Sequence, residues 1–253
     1  MPNWCENKLT MKGDKNLIKY FKLMHFTEDK DLDFNTIIPS PKTIGEAISN
    51  GYEQFVLGED RNPENTITDK NFDWYNWRYQ HWGTKWNAHD TSYDEYDGKL
   101  IIYYNTAWSP AIPIVKKLQE IYKDATITSE YYEGGVAFYG YVYSDGNNED
   151  FDFNISDIND VKNVFDMGYI SYRDWFEYGM NLRRLYNFAK DHDIAVEGIE
   201  NEDNIEESTY WIWPVLQEIY NKGLVEKFNE EFDIPNDVAD NDEYQICLSN
   251  GGE

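Results

Sequence analysis

The sequence predicts an α+β fold. A ferredoxin-like split βαβ N-terminal domain (1–148) with a helical insertion at about 34–83 precedes an acidic, mainly helical region (149–253). Three observations predict this. With the insertion set aside, strand and helix patterns in the first part run β-α-β-β-α-β plus one extra hairpin strand. The second part shows helical periodicity with few strand signals. The charge of −26 is also uneven: residues 1–126 carry 15 Lys+Arg and 19 Asp+Glu, whereas residues 127–253 carry 7 and 29.

"ENKLTMKG" (6–13) alternates Leu9 and Met11 with polar neighbours and stops at Gly13, as a strand does. Asp14 then caps a helix whose inner residues Leu17, Ile18, Phe21 and Met24 are spaced three to four apart. "LIIYYNTA" (100–107) is a strand after the "YDG" turn, with residues 86–96 as its hairpin partner. Ser109 and Pro110 read as the N-cap and first position of a helix with Ile114, Val115, Leu118, Ile121 and Tyr122 inward. "ATITSEYY" (125–132) and "VAFYGYVY" (136–143) flank a Glu133–Gly134–Gly135 turn.

"SDGNNEDFDFN" (144–154) reads as an acidic break between domains. Beyond it, Ser171 and Asp174 form a capping-box pattern, with Trp175, Gly179, Leu182, Tyr186 and Ala189 on the inner face of the helix. Pro214 opens another helical pattern that breaks at Gly223, and "YQICLS" (244–249) reads as a last strand.

An aromatic content of 17% excludes wholesale disorder. The N-terminus has no apolar signal-like run, and runs such as "PAIPIV" fall far short of the ~20 residues needed to span a bilayer. Cys5 and Cys247 form no disulfide framework; one bridge between them stays open, with a reducing cytoplasm as the default. The acidic balance argues against direct binding to nucleic acid or to an anionic membrane.

Chemical motifs are sparse. His81 and His89 do not match zinc spacing. "DFDFNISDINDV" (150–161) has Ile155 and Val161 where a calcium loop needs Gly and Glu. There is no phosphate-binding glycine loop and no nucleophile elbow. No cofactor or metal is expected, and no enzyme. Pro2, if exposed as an N-terminal amine, is the residual catalytic candidate.

"NWRYQHWGTKWNAHD" (76–90) concentrates Trp77, Trp82 and Trp86 around Lys85. Its two readings are an aromatic minicore pinning the insertion and a ligand-facing wall in which Lys85 meets aromatic faces.

"MPNWCENKLTMKG", "FNTIIPSP", "WGTKWNAHD", "NTAWSPAIPIVKKL" and "YYEGGVAFYG" follow one another in the first ~145 residues. In this order they resemble the YubB-like family of phage and plasmid proteins with a ferredoxin-like domain. The resemblance marks Asn3, Trp4, Asn7, Trp82, Gly83, Thr84, Lys85, Trp86, Trp108, Pro110 and Glu133 as motif positions. It implies carriage on a mobile element and no catalytic residues.

The expected function is a non-enzymatic inhibitor of a host defence nuclease or another nucleic-acid-binding complex, placing carboxylates in a basic groove of its partner. The carboxylate candidates are Glu202, Asp203, Glu206, Glu207, Glu230, Glu231, Asp233, Asp237, Asp240, Asp242 and Glu243. The rival expectations are a nucleotide-signal binder stacking on Trp82 and Trp86 beside Lys85, and an enzyme with an unrecognised site.

Overall fold

The structure is a computed structural model that describes residues 3–28, 31–58, 62–196, 199, 205 and 211–250. It divides into two compact units, residues 1–152 and 153–253. The first is built on alternation. In β1 (Trp4–Lys12) Cys5, Asn7, Leu9 and Met11 are buried and their neighbours more exposed. Asp14 caps α1 (Lys15–His25) by accepting the Asn16 N–H at 2.8 Å. This helix buries Ile18, Phe21 and His25, while Met24, expected inward, is exposed. His25, four residues after Phe21, takes that inward position instead.

β2 (His89–Tyr96) and β3 (Lys99–Ala107) form the expected hairpin, followed by α4 (Ile112–Ile121), β4 (Thr126–Glu133) and β5 (Phe138–Val142). The antiparallel order is β2-β3-β1-β4-β5-β6, where the first four strands make the split βαβ arrangement and the last two extend it as a meander. The last strand, β6 (Asn148–Asp152), lies inside the segment read as an acidic break. The turn before it is therefore a hairpin within the first unit, and the division between units falls after β6, at 152/153, rather than at the expected 148/149. β6 pairs Tyr139 with Phe151 and Val142 with Asn148. Its exposed carboxylates hid the strand pattern, and charge of this kind discourages pairing between sheet edges.

α4 also departs from expectation. It begins after Ala111, and Pro113 sits in its first turn in the role expected of Pro110. Ser109 is no cap, because its hydroxyl donates to the Gly83 carbonyl at 2.7 Å. Ile121 is exposed and only Tyr122 of that pair turns inward.

The insertion folds as a lobe of short pieces: 3-10 turns at Phe34–Thr36 and Glu53–Phe55, α2 (Ile44–Ser49) and α3 (Trp74–Trp82). Phe34, Ile44, Phe55, Phe72, Trp77 and Trp82 join the sheet residues Leu9, Ile102 and Tyr104 in one hydrophobic core. The lobe therefore stabilises the sheet as much as the sheet stabilises it; truncating a buried Trp of this kind to Ala costs about 3–5 kcal/mol.

The second unit contains α5 (Ile158–Met167), α6 (Tyr172–Asp174), α7 (Leu182–Asp191), α8 (Ile212–Asn221), α9 (Val225–Glu231), α10 (Asn236–Ala239) and α11 (Asp242–Asn250). The Ser171–Asp174 capping box forms as expected, but the helix it opens passes into a π-turn at Trp175–Gly179. A Cβ on Gly179 would lie 2.0 Å from the Ile155 carbonyl oxygen, so this close approach requires glycine. Residues 244–249 are helical rather than a strand. Tyr244, Cys247 and Leu248 are buried at a spacing of three and four, which a helix puts on one face. Both cysteines are buried, and no disulfide joins them. No helix among the described residues is long and apolar enough to cross a membrane.

Candidate functional site

Most of the motif residues gather at the end of the sheet where β1 begins and β3 and β4 finish. Their chemistry there is mutual. The Asn7 amide, buried in β1, donates to the Cys5 carbonyl (2.8 Å), the Tyr104 carbonyl (3.3 Å) and Thr106 Oγ1 (2.9 Å). Thr84 Oγ1 donates to the Ala107 carbonyl at 3.0 Å and accepts the Ala107 N–H at 3.1 Å, acting as a strand partner for the end of β3. Thr106 Oγ1 donates to the Ser109 carbonyl at 2.8 Å.

Gly83 ends α3 in the left-handed region at φ +82°, and a Cβ there would lie 2.7 Å from Pro113 Cδ and 2.8 Å from the Pro110 carbonyl oxygen. Buried Glu133 accepts the backbone N–H groups of Gly135, at 3.1 Å, and of Val136. A Cβ on Gly135 would collide with the Asn3 amide, so Asn3 packs against the same turn. Most of the cluster's hydrogen-bonding capacity is met within it; the buried Asn7 Oδ1 is left without a partner among the described residues. These side chains fasten the insertion and the β4–β5 turn to the sheet. Burial pushes the Cys5 thiol up, with Thr106 acting in the opposite sense, so burial favours the protonated thiol.

The tryptophans divide. Trp82 is 1% exposed, its Nε1–H donates to the Ile38 carbonyl at 2.9 Å, and Phe34 and Trp77 meet its ring edge-on. It has no face for a ligand, which corrects the expectation that it stacks on one. Trp77 is core as well. Trp86 remains 36% exposed, with Lys85 Nζ 4.9 Å from its ring centre and Trp4 at 6.0 Å. Trp4 stacks on His89, which contacts Asp90 at 2.9 Å. Trp108 is 43% exposed at φ +71°, unusual for a bulky residue, and its N–H donates to the Asn3 carbonyl at 3.0 Å. Pro110 is buried. Trp4, Lys85 and Trp86 thus form an aromatic surface bearing a cation, while Asn7, Thr84 and Glu133 are structural.

Of the carboxylate candidates, Glu202, Asp203, Glu206 and Glu207 lie outside the described residues, as does Pro2. Glu231 and Asp233 pair with Arg184 at 3.3 and 3.5 Å. Asp237 shares Lys162 with Asp166, at 3.4 and 2.9 Å. Glu243 accepts the Tyr172 N–H at 3.2 Å and so helps to cap α6. Glu230, Asp240 and Asp242 are exposed. The structure therefore separates carboxylates with internal partners from those turned to solvent, a distinction invisible in a count of charges.

No curated protein matches the chain. Among solved structures, a crystal structure of protein api92 from Yersinia pseudotuberculosis is similar at 7% identity with a TM-score of 0.36, covering 60% of this chain and 98% of that one. Residues 81–167 match the family model described as the ferredoxin-like domain in Api92-like protein. The matched segment carries β2 to β6 and α5, and β1, the central strand of the sheet, precedes it. Residues 81–167 are accordingly similar to the ferredoxin-like domain of Api92-like proteins.

Proposed function

We propose that the chain is a non-enzymatic binding protein that inhibits a nucleic-acid-binding complex by laying carboxylates of its second unit in a basic groove. The YubB-like resemblance, with carriage on a phage or plasmid, supplies the setting: a host defence nuclease is the partner class, and the host cytoplasm the compartment. One observation carries the reading. In the second unit, two of the few cations, Lys162 and Arg184, are already engaged by carboxylates, while Glu230, Asp240 and Asp242 are turned to solvent without a cationic partner among the described residues. An uncompensated acidic surface of this kind attracts a basic groove and repels nucleic acid.

The test is affinity capture from host lysate at low and high salt, using the chain and a variant with Glu230, Asp240 and Asp242 changed to Lys. The expected result is a nucleic-acid-binding protein retained at low salt, lost at high salt, and absent with the variant. The captured protein should also release its nucleic acid when this chain is added. Capture that is equal at both salt concentrations overturns the reading, because surface charge attraction is screened over about 8–10 Å at physiological ionic strength.

A further inference from the structure

Arg78 belongs to α3, and neither the sheet-end cluster nor the acidic surface uses it. Its guanidinium carbon lies 5.0 Å from the ring centres of both Trp74 and Trp82, so two indoles hold the cation in place. Its buried Nε has no acceptor among the described residues, and its Nη1 reaches only the Lys85 carbonyl, at the long distance of 3.5 Å. A guanidinium offers five N–H donors in a rigid fork, and a half-buried one leaves free energy unrealised until they meet acceptors. Burial lowers the pKa of Arg78 and the nearby Asp69 raises it, which leaves the group a cation in a poorly solvated place.

Arg78 lines a cavity of about 620 Å³ with Lys42, Thr66, Thr68, Asp69 and Trp74. The frame is fixed by backbone. The Ile67 N–H donates to the Lys42 carbonyl at 2.8 Å, and the Lys42 N–H donates to Glu46 Oε2 at 2.6 Å. Thr43 and Thr66 pair as an isolated bridge. Two cationic residues and one acidic residue, Asp69, thus line the cavity with two threonines and an indole, and the Glu46 carboxylate is held beside it on the Lys42 backbone. In a chain of net charge −26, two cationic residues lining one cavity depart from the acidic excess elsewhere.

We propose that this cavity binds the oxyanion group, phosphate or carboxylate, of a small organic anion. Arg78 is the forked donor, Lys42 the second cation, and Trp74 the wall for the organic body. The fork matches two oxygens of either group, and the volume suits a molecule up to mononucleotide size. This site uses residues of the first unit and the acidic reading uses residues of the second, so its failure would leave the reading above untouched.

The experiment is calorimetric titration and thermal denaturation of the full chain with inorganic phosphate, adenosine monophosphate and succinate as separate probes. Lys42→Glu, at an exposed position, and Arg78→Lys, which keeps charge but loses the fork, are titrated alongside. Saturable binding of phosphate and adenosine monophosphate, or of succinate, is expected, and which probe binds assigns the oxyanion. Each substitution should weaken binding by about tenfold or more, since a forked charged contact is lost or an opposing charge gained. Lys42→Glu should melt as the parent does without ligand, so it carries the test if Arg78→Lys unfolds. No saturable binding of any probe overturns the proposal, and so does binding that Lys42→Glu leaves unchanged.

Discussion

Gly83→Ala separates a structural role for the "WGTKW" motif from a ligand-binding one. Gly83 holds φ +82°, where an Ala costs about 1–2 kcal/mol through its Cβ alone. The added methyl would also lie 2.7 Å from Pro113 Cδ and 2.8 Å from the Pro110 carbonyl oxygen, neither of which is the end of a flexible side chain. Overpacking against such fixed groups adds about 1–3 kcal/mol, so the total is about 2–5 kcal/mol. Gly51 supplies the control. It holds φ +78° in the same lobe, and a methyl added there would meet nothing within 4 Å, so Gly51→Ala bears the backbone contribution alone.

Thermal unfolding followed by tryptophan fluorescence reads the difference. At roughly 2–4 °C per kcal/mol for a domain of this size, Gly83→Ala should melt roughly 4–20 °C lower, and Gly51→Ala roughly 2–8 °C lower. Equal melting temperatures for the two variants would refute the reasoning. They would mean that the Pro110–Pro113 turn gives way freely and that the motif is not a lock between the insertion and the sheet.

Two further predictions concern buried polar groups. Thr84→Val keeps the shape but removes both Thr84 bonds to Ala107, leaving a buried N–H and C=O unpaired; it should destabilise by about 1–3 kcal/mol in urea denaturation, while Thr84→Ser should lose less. His25 is packed between Thr36 Oγ1 (2.8 Å) and Tyr122 OH (2.7 Å), and burial brings its pKa down to about 4 from 6.5. Thr36 Oγ1 donates to the Asp33 carbonyl, so it accepts from Nδ1–H and the ring is neutral with Tyr122 donating to Nε2. Between about pH 6.5 and pH 4 the unfolded chain binds the extra proton, so His25 contributes stability that is complete above the upper value and lost as pH falls towards the lower. The loss should reach about 2–3 kcal/mol, and the difference between the parent and His25→Gln across that window, measured by urea denaturation, isolates it from the carboxylates. A difference that does not change with pH would refute the assignment.

Much of the first unit is local in origin. The alternation of Leu9 and Met11, the Asp14 cap, the hairpin around Asp97–Gly98 and, in the second unit, the Ser171–Asp174 capping box each act within a few residues, so the sequence displays them directly. The split βαβ order follows, because short connections and right-handed crossovers leave few ways to arrange those elements. The candidate residues were legible as a set of positions, but their roles were not. Asn7 and Thr84 could be ligand contacts or struts until Thr106 and Ala107, far along the chain, came into hydrogen-bonding range. Arg78 gave no signal at all, because its two indoles are spaced along α3 like core residues and its cavity is lined by residues 40–42 and 66–69, remote in sequence.

The sequence by itself determined the α+β class, the order of the first strands and helices, and the acidic excess of the second part. These depend on periodicity, caps and composition, which are properties of neighbouring residues. Only the tertiary structure decided that Trp82 is core while Trp86 faces solvent, that Ser109 bonds Gly83 instead of capping a helix, and that the charged stretch 148–152 is a strand. It also decided that 244–249 is a helix. In each case the deciding partner lies far away in sequence or is a face of another element. Burial and hydrogen-bond satisfaction are settled by such partners and by no local pattern.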